Sequence, residues 1–272
     1  MHKNELAENG YVVLKDIFTE GFLENARKLQ ERIVAYAEKD LEDVFSKYYL
    51  RHRPDQGVLY DLYQRHPEFR KMVSNEKILD VLEDVLGPNF YLYENSLIYK
   101  PKGKENGVPW HQDFISRPDE PVKYVVWMPL DDVSRENGTL QVIPGSHKQG
   151  FLSWHRVKGE THHDRVDTEY IEKNKDKIKY VEMNAGDVLV FNMLVLHGSD
   201  EVHTDRPRRV FRCSYQSMDE AVSTPRGAPM VMRGGTPEYL TVKHSHKFEG
   251  GSKKPLLIRM LNKIGRILAD FG

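Results

Sequence analysis

Apolar residues change their spacing near position 88 of the chain. Before it they recur at helical intervals: from the N-cap residue Thr19, Phe22, Ala26, Leu29, Ile33 and Tyr36/Ala37 line one face, which predicts a helix to about residue 40. A second helix is expected at 76–86, closed by Gly87-Pro88. Ahead of both, residues 11–18 follow Gly10 and are rich in β-branched and aromatic types, which predicts a short strand. After Pro88 the texture becomes short β-rich runs punctuated by Gly and Pro, at 90–100, 108–114, 122–131, 138–143, 178–183, 187–197 and 208–216. That spacing predicts an antiparallel sandwich or barrel. The polar stretch 147–177 reads as an insertion loop with a short helix at 168–175. Near the end, Leu257, Met260, Leu261, Ile264, Leu268 and Phe271 fall on one helical face, with Arg259, Lys263 and Arg266 on the other.

Composition narrows the function more than the fold. The 272 residues suit one domain over 1–250, with a β core at 88–217 and an amphipathic helix at 251–272. Forty Lys plus Arg against 41 Asp plus Glu give a formal net charge of -1, so there is no global electrostatic footprint for nucleic acid. Cys213 is the single cysteine, which excludes an internal disulfide and fits a reducing compartment. No apolar run approaches the roughly 20 residues of a membrane span, and neither a secretory leader nor a peroxisomal Ser-Lys-Leu-type terminus is visible, so the cytoplasm is the expected location.

The chemistry concentrates in three residues. His111 and Asp113 stand two apart at the end of a β-like run, so both side chains are expected on one strand face, where an imidazole and a carboxylate can share a metal. His197 ends the apolar run that starts at Val188 and supplies the second imidazole. Two His and one carboxylate form the facial triad of non-haem Fe(II) oxygenases, which leaves coordination positions open. Eleven residues on, Arg208 offers a planar fork that suits a distal carboxylate. His203 rivals His197, and Arg212 and Arg209 rival Arg208 in that order, Arg212 sharing its face. His147 is expected to stabilise a turn, Gln112 to give structural support, and His155, His162 and His163 to be solvated surface.

These landmarks, with Trp127 to Asp132, Glu136 to Leu140, Pro144 to His147 and His197-Gly198-Ser199, resemble the phytanoyl-CoA dioxygenase family over most of the chain, from Glu8 to about Tyr215. The resemblance implies a double-stranded β-helix, the cupin-like jelly roll, with N-terminal helices packed on it. It implies Fe(II) on His111, Asp113 and His197, 2-oxoglutarate and O2 as co-substrates, Arg208 on the far carboxylate of 2-oxoglutarate, and Trp127 and Ser199 beside it. The activity implied is hydroxylation of an aliphatic C–H of a small organic substrate, with release of succinate and CO2. Because Asp113 is present, hydroxylation is favoured over halogenation. The alternatives are a non-catalytic jelly-roll protein that binds a metal or ligand, and a cupin-type dioxygenase that does not use 2-oxoglutarate. Residues 253–271 are the candidate for peripheral membrane contact or self-association.

Overall fold

The computed structural model describes residues 2–37, 52–53, 57–99, 107–158, 164–202, 204, 206, 208–220 and 230–235. The elements below belong to the first of two compact units, Met1–Arg233. The amphipathic stretch 253–271 lies outside the described residues, as do His162, His163 and His203.

The chain opens with α1 (His2–Asn9), β1 (Tyr11–Leu14) and α2 (Glu20–Ala37). The predicted strand 11–18 stops at Leu14 because the backbone turns at Asp16, whose φ is 53°. The turn is held by Asp187, which accepts from the Asp16 N–H at 3.1 Å and the Lys15 ammonium at 2.7 Å. Next come β2 (His52–Arg53), β3 (Val58–Tyr60), α3 (Leu62–Arg65) and α4 (Pro67–Val73). Helix α5 (Glu76–Leu86) falls where its spacing placed it. Asn75 caps it by accepting from the Lys77 N–H at 3.1 Å, and Gly87 ends it at φ 79°.

The β region contains β4 (Phe90–Tyr99), β5 (Val108–His111), β6 (Lys123–Pro129), β7 (Leu140–Val142), β8 (Trp154–Arg156), β9 (Asp164–Val166), β10 (Lys179–Tyr180), β11 (Val188–Asn192), β12 (His197–Ser199), β13 (Arg209–Ser217) and β14 (Met230–Arg233). An eight-stranded sheet runs β1-β11-β6-β13-β4-β3-β2, with β14 also on β4, and a four-stranded sheet runs β10-β7-β12-β5. Every described pairing is antiparallel. This is the jelly roll the family resemblance implied.

Strand alternation sorts the large sheet into two faces. Val126 and Met128 of β6, Val188 and Val190 of β11 and Phe211, Cys213 and Tyr215 of β13 pack into one core with the helices, among them Leu23, Phe69 and Leu82. Their neighbours Val125, Trp127, Leu189, Phe191 and Val210 join Leu140 and Val142 of the small sheet in a second core. The functional residues face this second space.

Two expectations need correction. The apolar run 187–197 is not one strand: β11 ends at Asn192, the chain turns a corner through residues 193–196, and β12 begins in the other sheet at His197. Asn192 builds the corner, its side-chain oxygen accepting from the Leu194 N–H and its carbonyl from the Val195 N–H, both at 2.9 Å. The stretch 147–177 is not a plain insertion loop either. It carries 3₁₀ turns at Ser146–Gln149 and Lys175–Lys177, the β8–β9 hairpin and α6 (Thr168–Lys173). The helix predicted there at 168–175 is α6.

Gly10 locks the N-terminal segment to the β core. Its carbonyl accepts from the Asn192 N–H at 2.8 Å, and its φ is 83°. A Cβ at this position would meet the His147 ring and Val195 at 2.5 Å. Gly10→Ala combines left-handed strain with a clash, and urea unfolding is expected to show a loss of about 1–3 kcal/mol.

Candidate active site

His111 closes β5 and His197 opens β12, and the two are direct partners across the ladder. Their ring centroids are 4.2 Å apart. Each ring is fixed through Nδ1, to the Pro109 carbonyl at 2.8 Å for His111 and to the Val195 carbonyl at 2.9 Å for His197. A carbonyl can only accept, so Nδ1 carries the proton and Nε2 keeps its lone pair. Both Nε2 atoms lie 3.9 Å from a carboxylate oxygen of Asp113. One potential ligand atom from each residue falls within 4.8 Å of the others, an arrangement able to hold a metal ion. Gly198 permits the close passage of β5 that this requires, since a Cβ there would sit 2.9 Å from the Val108 carbonyl oxygen.

Asp113 does not share a strand face with His111. The strand stops at His111 and Asp113 enters from the turn beyond it, where its N–H donates to the Met193 carbonyl at 3.0 Å. Between the two, buried Gln112 bonds three backbone groups. Its amide donates to the Leu194 and Gly150 carbonyls at 2.7 and 2.9 Å, and its oxygen accepts from the Leu152 N–H at 2.9 Å. This is the supporting role expected of it.

The electrostatics favour the ligating forms. Burial, then the neighbouring His197, push His111 down to about 4, and burial likewise lowers His197. Burial alone would raise Asp113, but Arg212 and the two imidazoles outweigh it and hold the carboxyl at about 2. Near neutrality the cluster therefore offers two uncharged imidazoles and a carboxylate, the donor set that binds a divalent metal without releasing protons. Arg212 was read from sequence only as a rival for the co-substrate. Its guanidinium instead lies 2.9 Å from Asp113 Oδ2 and donates to Glu94 Oε1 at 2.9 Å. Those two carboxylates raise its pKa despite burial.

Arg208 is 4% exposed, and its Nη1 donates to the Gly138 carbonyl at 2.9 Å. Its guanidinium carbon sits 5.8 Å from the centroid of the buried Trp127 ring. Among the described residues no carboxylate pairs with it, and its Nε is buried without a partner. Burial lowers its pKa to about 10, which leaves it cationic at neutral pH. Ser199, two residues from His197 on the same face of β12, has a buried Oγ that is also without a partner. Buried donors without partners suit an anion that arrives from outside. Arg209 faces away, held by Asp131 at 2.6 Å and Glu31 at 2.8 Å. Of the other histidines, His147 sits in the 3₁₀ turn beside Gly10, and His155 is exposed on Asp167 at 2.7 Å.

Human peroxisomal phytanoyl-CoA dioxygenase is 29% identical over 230 residues, which cover 78% of this chain and 66% of that protein. The chain thus spans slightly less than two thirds of that relative. Among solved structures, the non-heme monooxygenase ThoJ in its apo form matches with a TM-score of 0.70 at 19% identity, covering 87% of this chain and 85% of that one. EctD from Sphingopyxis alaskensis, solved with 2-oxoglutarate and 5-hydroxyectoine, matches with a TM-score of 0.66 at 22% identity, covering 83% and 78%. Both likenesses establish the fold. The family model described as phytanoyl-CoA dioxygenase (PhyH) matches residues 6–210, three quarters of the chain and a span that includes His111, Asp113, His197 and Arg208, so the chain belongs to the phytanoyl-CoA dioxygenase family.

Proposed function

We propose that the protein is an Fe(II)- and 2-oxoglutarate-dependent dioxygenase that hydroxylates an aliphatic C–H of a small organic molecule. The observation that carries this reading is the pairing of an open His-Asp-His cluster with a buried guanidinium, Arg208, that has no carboxylate partner among the described residues. A closed structural metal site has four protein donors and needs no waiting cation. Iron(II), held by His111, Asp113 and His197, would supply the redox chemistry by which O2 decarboxylates 2-oxoglutarate, one oxygen atom entering succinate and the other the substrate.

The chain supplies position and dryness. The Nδ1 bonds keep both imidazoles from rotating, and Arg212 holds the Asp113 carboxylate. Arg208 would receive the distal carboxylate of 2-oxoglutarate through its free donors, with the Trp127 ring 5.8 Å from the guanidinium carbon as a neighbouring wall and Ser199 Oγ as a further hydroxyl. The apolar walls Leu189, Phe191 and Val210 exclude water around them. No described helix is long and apolar enough to cross a membrane.

Purified protein supplied with Fe(II), 2-oxoglutarate, O2 and ascorbate, which takes the second oxygen atom to water when no substrate is bound, is expected to release succinate and CO2 in equal amounts, and a chelator should stop it. No succinate under any supplied condition would defeat the proposal. Oxygen uptake that continues without 2-oxoglutarate would instead indicate a metal dioxygenase of the other cupin type.

A further inference from the structure

The wall of the inter-sheet space beside Asp113 is charged rather than greasy. Phe114, the next residue, has φ 56°, a strained value for an aromatic residue, which turns its ring into this wall. Three cations surround that ring: Lys123 at 4.9 Å, Arg212 at 5.8 Å and Arg117 at 5.9 Å from its centroid. Tyr93 packs edge-on against it at 5.3 Å.

Three carboxylates face these three cations, but they are shared unevenly. Glu94 and Asp113 are engaged by Arg212, and Asp113 is the carboxylate assigned above to iron. The remaining acid, Glu120, serves two cations. It accepts from the fully buried Lys123 ammonium at 2.8 Å and stands 3.8 Å from Arg117. Its other hydrogen bond is from the Tyr93 hydroxyl, at 3.0 Å, and Arg117 donates to that same hydroxyl at 2.7 Å. Lys123, Glu120 and Tyr93 thus form a frame that orients Arg117. The Arg117 side chain stays 47% exposed, with donors to spare.

We propose that Arg117, held by this frame, is an anion subsite for the substrate, which is accordingly a small polar molecule carrying a carboxylate or phosphate. The inference rests on the dioxygenase reading above. Phe114 joins the subsite to Asp113 through a single peptide step, so the anionic group fixes which carbon approaches the metal. A long hydrocarbon chain has no place against Arg212, Glu94, Lys123 and Glu120 without leaving charges desolvated.

The test is equilibrium binding of n-butyl phosphate and of butanoate to protein loaded anaerobically with Fe(II) and 2-oxoglutarate, with n-butanol as the uncharged control. The wild type is expected to bind at least one anion about tenfold or more tightly than butanol, and Arg117→Gln, at a half-exposed position, should lose that preference. Arg117→Lys should recover part of it, and which anion binds tells phosphate from carboxylate. No anion preference in the wild type, or the same preference in Arg117→Gln, would overturn the subsite. The charge-transfer band of the Fe(II)–2-oxoglutarate complex, recorded first in the same samples, reports separately on the dioxygenase reading. If the band never forms, that reading fails and the subsite with it; if it forms and anion binding is indifferent to Arg117, only the subsite fails.

Discussion

Asp113→Ala is expected to reduce 2-oxoglutarate turnover to background and to weaken Fe(II) binding by more than about 100-fold, beyond the usual effect of disturbing an outer-shell partner. The carboxylate is the only anionic donor of the cluster, and without it two neutral imidazoles remain beside the Arg212 cation. The fold should survive, because Asp113 lies in a turn and Arg212 keeps its bond to Glu94. Circular dichroism and calorimetric metal titration of the same sample separate the two effects. Full activity in the alanine variant would remove Asp113 from the proposed ligand set.

Arg208→Ala should raise the 2-oxoglutarate concentration needed for half-maximal turnover at least about tenfold, equivalent to some 1.4 kcal/mol of binding. Arg208→Lys should fall between, since an ammonium cannot match a carboxylate with two parallel donors. Arg209→Ala is expected to change this little, because Arg209 is occupied by Asp131 and Glu31 on the other side of the sheet. A titration that reversed this ranking would move the co-substrate site to the opposite face.

What could be read ahead of the fold follows from how local each signal is. Helix α5 announces itself through Asn75 at one end and Gly87 at the other. Helix α1 does not, since Leu6 is its one buried residue and its stability comes from the β core beneath it. Helices α3 and α4 are short: α3 follows Asp61, whose φ is 66°, and α4 begins at Pro67, which reads in isolation as a break. The cluster of His111, Asp113 and His197 was visible because its residue types and spacing are rare in combination. The bond from Arg212 to Asp113 was not, because it depends on β13 and the turn after β5 meeting across ninety-eight intervening residues. The corner between β11 and β12 was hidden by apolar side chains on both faces, and Asn192 was its single polar clue.

That corner sets a rule about chain length. β11 is pinned in register by β1 and β6, and β12 by β5 and β7, so residues 193–196 bridge two fixed points. Loss of one residue would draw Gly198 into the slot of His197 and Ser199 into the slot of Gly198, where its Cβ would press on the Val108 carbonyl. The four side chains of this segment are buried, so they can change only for apolar residues of similar size, while their number cannot change at all. Among descendants of this gene, the corner should therefore record conservative apolar exchanges and almost never an insertion or a deletion.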